Sequence, residues 1–119
     1  MIQSHDEILS RLRKLCLSLP EAAEVEAWGH PTFRAGKKIF ASFGFHEDRP
    51  CTSVKADSFM QQMLLDDERF FYPPYVGQHG WVGIWLDKNV DWSFVEELII
   101  KSYRLVALKR MVKALDASL

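Results

Sequence analysis

Apolar residues follow a helical period at both ends of the chain and a shorter period between. Ile8, Leu9, Leu12, Leu15, Cys16 and Leu19 form one helical stripe, with Arg11, Arg13 and Lys14 off it. Ser4 followed by Glu7 is a capping box that starts this helix near His5, and Pro20 ends it. From Glu24 to Trp28 polar and apolar residues alternate, which predicts a half-buried strand broken at Gly29-His30-Pro31. Thr32-Phe33-Arg34 begins a second strand, and Ala35-Gly36-Lys37-Lys38 reads as a hairpin turn in which Gly36 takes a positive φ. Ile39 to Phe45 is a third strand, with positions 39, 41, 43 and 45 on one face and Phe40 on the other. Gly44 marks a bulge or a close backbone approach. His46 to Pro50 is a polar turn and Cys51 to Lys55 a fourth strand, so the four strands read as an antiparallel meander.

A short helix follows from Ser58 to Leu65, opened by Ala56 or Asp57. Phe70 to Tyr75 is an aromatic stretch fixed by Pro73 and Pro74, and Gly77 to Gly80 is a loop. Trp81 to Leu86 is a fifth strand, apolar on both faces and therefore expected to be covered. Asp91 caps the last helix, whose stripe runs from Phe94 through Leu98, Leu105, Leu108 and Val112 to Leu115. Unbroken to Leu115 it would be ~37 Å long, so a bend near Tyr103 to Ala107 or a protruding end is expected. The fold class is α+β: a two-layer arrangement with an antiparallel five-stranded sheet. Its order is N-terminal helix, four-strand meander, short helix, fifth strand and C-terminal helix.

The 119 residues read as one domain, 1–119, of ordinary globular composition, with 48% hydrophobic and 26% charged residues. The net charge of −1 argues against a strongly basic nucleic-acid binder and leaves room for a local basic patch. The segment from Met1 to Leu12 has no signal-peptide core, and no apolar run approaches a membrane span. With Cys16 and Cys51 read as reduced thiols, the expected compartment is the cytoplasm.

Gly29-His30-Pro31-Thr32-Phe33, Gly36-Lys37-Lys38-Ile39-Phe40-Ala41, Val54-Lys55-Ala56-Asp57, His79-Gly80-Trp81-Val82 and Ser102-Tyr103-Arg104-Leu105-Val106 occur in that order. The set resembles the YjbR/MmcQ family, over about Ile8 to Leu115. The resemblance implies helices packed on an antiparallel sheet, a fold compared with frataxin-like proteins and type III secretion chaperones. It also implies a double-wing DNA-binding role. Relatives often carry a proline near Leu108, and its absence here favours a continuous last helix.

Two basic segments fit a DNA contact: Arg34, Lys37 and Lys38 on one hairpin, and Lys101, Arg104, Lys109, Arg110 and Lys113 in a stretch without acids. Arg34, Lys37, Lys38, Lys101, Arg104 and Arg110 are the nucleic-acid candidates, against the competing reading of a solvated charged surface. The aromatic residues suggest an alternative, a groove for a peptide, a protein partner or a second copy of the chain. His30, Phe33, Lys55, His79, Trp81 and Tyr103 are its candidates. Tyr103 either points its hydroxyl into that groove or ties the helix to a loop carbonyl. No metal, cofactor or catalytic residue is expected. The four histidines lack ligand spacing, no serine sits in a nucleophile elbow, Cys16 reads as buried and Cys51 as the more accessible thiol.

Overall fold

The computed structural model describes residues 4–119. Met1 to Gln3, part of the segment read above for a leader, lie outside the described residues. Helix α1 (His5–Leu17) starts where the Ser4 hydroxyl accepts from the Glu7 amide, and it buries Ile8, Leu12 and Cys16. Four strands follow: β1 (Ala22–Ala27), β2 (His30–Ala35), β3 (Lys38–His46) and β4 (Arg49–Lys55). Each is joined to the next by a two-residue turn, because Ala27 pairs with His30, Ala35 with Lys38 and His46 with Arg49.

The turns explain two displaced boundaries. The break expected at Gly29-His30-Pro31 is made by Trp28 and Gly29, both at positive φ (53° and 82°), while His30 and Pro31 already belong to β2. A pair of positive-φ residues is the primed turn whose twist matches a hairpin. Glu47 and Asp48 repeat that geometry, at 52° and 62°, and Pro50 already belongs to β4. Gly36 supplies the positive φ of the middle turn, as the sequence indicated.

Helix α2 (Ser58–Leu65) is capped by Asp57, whose carboxylate accepts from the Met60 amide. The aromatic stretch after it contributes a strand of two residues, β5 (Phe70–Phe71), and Trp81–Trp85 forms β6. The sheet therefore has six strands, not five, in the order β1-β2-β3-β4-β6-β5, all pairs antiparallel. Two residues lie below the length at which alternation is readable in sequence.

The last helical segment is two helices, α3 (Trp92–Val106) and α4 (Lys109–Ser118), separated by Ala107 and Leu108 in extended conformation. The bend begins at Ala107, the last residue of the window expected, and the continuous helix expected from the absence of a proline near Leu108 is not formed. α4 buries Met111 and Leu115, and the Met111 Cε lies 3.4 Å from where a Cβ on Gly36 would stand. A straight helix would carry both side chains away from the β2–β3 hairpin, so apolar burial breaks it.

All helices contribute to one core against one face of the sheet. Between Phe33 and Arg34 the β2–β3 register slips, leaving Phe40 as the extra residue of a bulge on β3. Phe40 and Ala41 are consequently both fully buried. The bulge sits at Phe40 rather than Gly44, where β3 and β4 pair in regular register. Ser102 of α3 fills the gap in the ladder: its hydroxyl accepts from the Lys55 amide (2.9 Å) and donates to the Phe40 carbonyl (2.6 Å). Its neighbour Tyr103, fully buried edge-on to Phe40, donates its hydroxyl to the Pro20 carbonyl (2.6 Å).

Candidate functional site

The bulge resets which β3 side chains face away from the helices. Ile39, Ser42, Gly44 and His46 line the open face, with Thr32 of β2 and Cys51 and Ser53 of β4. Along the middle of that face Thr32 pairs with Ser42, Ser42 with Ser53 and Ser53 with Gly83. These side chains are short, so the floor is low. Taller groups surround it: Trp28 from the β1–β2 turn, Phe71, Trp81, and Pro73 to Val76 from the β5–β6 connection. The result is a groove of about 610 Å³. That volume lies within the ~300–1,000 Å³ usual for ligand sites.

Two walls are unusual. Trp28 is 81% exposed and Tyr75 90% exposed, and both have positive φ (53° and 66°). A non-glycine residue in that region costs about 1–2 kcal/mol. The strain goes with exposure, so core packing does not account for it. The two residues come from opposite ends of the strand order, yet line the same groove.

At one end the groove meets a stack. The ring of His46 lies parallel to that of Phe71 at 4.6 Å, Phe71 stacks on Trp85 at 4.2 Å, and the Arg49 guanidinium sits 3.9 Å from the Trp85 ring centre. Phe71 approaches the backbone so closely that a Cβ on Gly83 would fall 2.2 Å from its ring, which reserves that position for glycine. Arg49 also donates twice to Asp87, and this hydrogen-bonded guanidinium holds the Asp87 carboxyl below its ordinary pKa.

The six residues named from sequence for a groove divide. His30 and Trp81 line it. Phe33 and Tyr103 do not: both are fully buried in the core, and the Tyr103 hydroxyl is the tie to a loop carbonyl already described. His79 is an exposed residue of a short 3₁₀ turn, outside the lining. Lys55 pairs across the strands with Trp81 and borders a smaller cavity of about 190 Å³ with Asp57, Lys101 and Arg104. Cys51, read as the more accessible thiol, is buried in the groove floor, where desolvation pushes its pKa up to about 12. Burial raises Cys16 further still. Neither is a thiolate at neutral pH.

The six nucleic-acid candidates do not gather on one face. Arg104 donates to Asp116, and Arg110 donates twice to Glu21, whose pKa it lowers. Lys101 and Arg104 border the cavity beside α2 and α3. Lys37 and Lys38 stand exposed on the β2–β3 turn, next to α4. Arg34 shares the parity of His30 and Thr32, and so belongs to the groove face of β2. Among the described residues Arg34, Lys37, Lys38 and Lys55 make no ion pair.

Ser42, Gly44, Ser53, Phe71 and Tyr75 were not among the groove residues named from sequence. The two serines carried a signal, a small polar residue at one parity in two consecutive strands.

The YjbR family model matches residues 17–105. Among solved structures, a Deinococcus radiodurans protein with the DUF419 domain superposes with a TM-score of 0.73 at 23% identity, over 91% of this chain and 87% of that one. A Pseudomonas syringae protein superposes with a TM-score of 0.67 at 13% identity, over 87% of this chain and 98% of that one. No curated protein matches in sequence. The structural likenesses establish the fold, and the family match over 17–105 establishes kinship: the chain belongs to the YjbR family.

Proposed function

We propose that this YjbR-family protein is a non-enzymatic binding module of the cytoplasm that holds a peptide segment of a protein partner in the open-face groove. The observation that carries the reading is the placement of Trp28 and Tyr75, two exposed aromatic residues at strained φ facing one groove. Rigid aromatic side chains at a concave site supply contact area at low conformational cost. The groove lining contains no Lys, Arg, Asp or Glu, which suits an uncharged guest. Its two histidines and short hydroxyl side chains offer hydrogen bonds to a peptide backbone.

The test is a titration of ¹⁵N-labelled protein with the capped peptide Ac-Gly-Trp-Leu-Phe-NH₂. Amide shifts at Trp28, His30, Ser42, Ser53 and Tyr75, abolished together by Trp28→Ala and Tyr75→Ala, are expected. Unmoved groove amides at millimolar peptide would refute the reading.

A second reading, DNA contact, is favoured by one observation. The β2–β3 turn packs against α4, so Lys37 and Lys38 lie near the element that carries Lys109 and Lys113. Arg104 and Arg110, engaged by acids, weaken it. Anisotropy of a labelled duplex at about 50 and 200 mM salt decides it: binding that falls steeply with salt and is lost in Lys37→Ala/Lys38→Ala supports DNA contact.

A further inference from the structure

We infer that the groove is directional, and that it takes the C-terminal end of a partner chain with the terminal carboxylate at Arg34. The inference rests on the groove reading above and adds the identity of the segment. Its basis is the distribution of charge along the groove face. The lining is uncharged, while a cation stands just beyond one end of it: Arg34, on the same face of β2, pairs across the strands with Ile39, which lines the groove. Lys37 and Lys38 occupy the turn at that same end. The cross-strand neighbours of Arg34 are Ala23 and Ile39, neither of them acidic.

Arg34 also stands apart from the other arginines. Arg13, Arg49, Arg69, Arg104 and Arg110 each meet a carboxylate, and Arg11 lies over the Trp92 ring. Among the described residues Arg34 has neither kind of partner, and its Nε is buried without a hydrogen bond. A buried donor left unpaired costs about 1–3 kcal/mol, so this Nε–H is an unmet demand for an acceptor. A carboxylate is the group that a guanidinium meets with two parallel hydrogen bonds.

The length of the site favours a chain end over a small acid. From Arg34 to His30 the strand advances four residues, about 13 Å at ~3.3 Å each. An extended segment of about four residues covers that distance, with its last residue beside Ile39 and its earlier ones toward Trp28 at the β1–β2 turn. Capture of a terminal carboxylate beside apolar side-chain pockets is a known mode of peptide recognition.

The experiment compares three probes on the ¹⁵N-labelled chain: Ac-Gly-Trp-Leu-Phe as the free acid, the same peptide as its carboxamide, and N-acetylphenylalanine. The free acid is expected to bind about tenfold more tightly than the carboxamide. It alone should shift the Arg34 Nε–H resonance, and Arg34→Gln should reduce the preference to below about twofold. Equal affinity of acid and amide, both shifting groove amides, would overturn the carboxylate end and leave the groove reading standing. Failure of all three to shift groove amides would remove both. N-Acetylphenylalanine binding as tightly as the free-acid tetrapeptide would overturn the peptide occupant in favour of a small organic acid. The wild-type Arg34 Nε–H signal keeps the test decisive even if Arg34→Gln does not fold.

Discussion

Ser102→Ala tests the account of how the sheet is held to its longest helix. The hydroxyl joins two backbone groups that the β3 bulge separates, the Lys55 amide at 2.9 Å and the Phe40 carbonyl at 2.6 Å. Ser102 is fully buried, so water does not replace it freely. Each backbone group left unpaired costs about 1–3 kcal/mol. Lys55 is half-buried whereas Phe40 is fully buried, which places the pair at about 2–4 kcal/mol. Alanine returns about 0.5 kcal/mol through its better helix propensity. The net loss is then about 1.5–3.5 kcal/mol, a fall in Tm of roughly 10 °C for a domain of this size. Urea unfolding with matched m-values measures it, and Ser93→Ala on the exposed part of α3 calibrates the propensity gain. Faster hydrogen exchange at the Lys55 amide should accompany the loss. A net loss below about 0.5 kcal/mol, or unchanged Lys55 protection, would refute the bridge as a support of the bulge.

Trp28→Asn should raise stability by up to about 1 kcal/mol, because Asn-Gly suits a turn with two positive φ values, while removing peptide binding; loss of both properties would contradict the strain argument. Thr52→Val should be neutral or stabilising in urea, since the Thr52 Oγ1 is buried without a hydrogen-bond partner and the two side chains have similar shape. Tyr103→Phe should cost about 1 kcal/mol by losing the bond to Pro20 without opening a cavity, as checked by the same unfolding curves. Asp87, its pKa depressed by Arg49, contributes stability that is fully present above its unfolded value near pH ~4 and is lost as pH falls through its lower folded value. Asp87→Asn should therefore flatten the acid limb of a Tm-against-pH curve and leave its shape near neutrality unchanged.

The sequence was most informative where one residue type settles a local geometry. Ser4 and Asp91 cap the helices they were expected to cap, and of Ala56 and Asp57 it is Asp57 that caps α2. Gly36 occupies the position of the β2–β3 turn that demands a positive φ. The Ser-Tyr pair at 102–103 stood out as part of the family resemblance, although its partners lie 47, 62 and 83 positions away and no local pattern names them. The aromatic stretch at 70–75 was visible, but its pairing with β6 depends on a two-residue register. The break at Ala107 and Leu108 follows from where Met111 and Leu115 find burial, a property of the assembled core rather than of those two residues.

The groove was only half legible for a related reason. Strict alternation through β3 would put Ile39, Ala41, Phe43 and Phe45 together, and Ser42 and Gly44 beside Phe40. The bulge at Phe40 breaks that phase. It buries Phe40 and Ala41 together and leaves Ser42 and Gly44 across from Ser53 and Cys51 on the open face. One inserted residue thus converts an apparently mixed strand into one with an apolar side and a short-chained side. The bulge is itself matched by Ser102, whose hydroxyl takes the place of the missing ladder bond. A buried serine on α3 and a low floor on the far side of the sheet are therefore one structural fact. If Ser102→Ala allows β3 to lose its bulge, the faces of its outer half must exchange, and the groove should disappear with the stability.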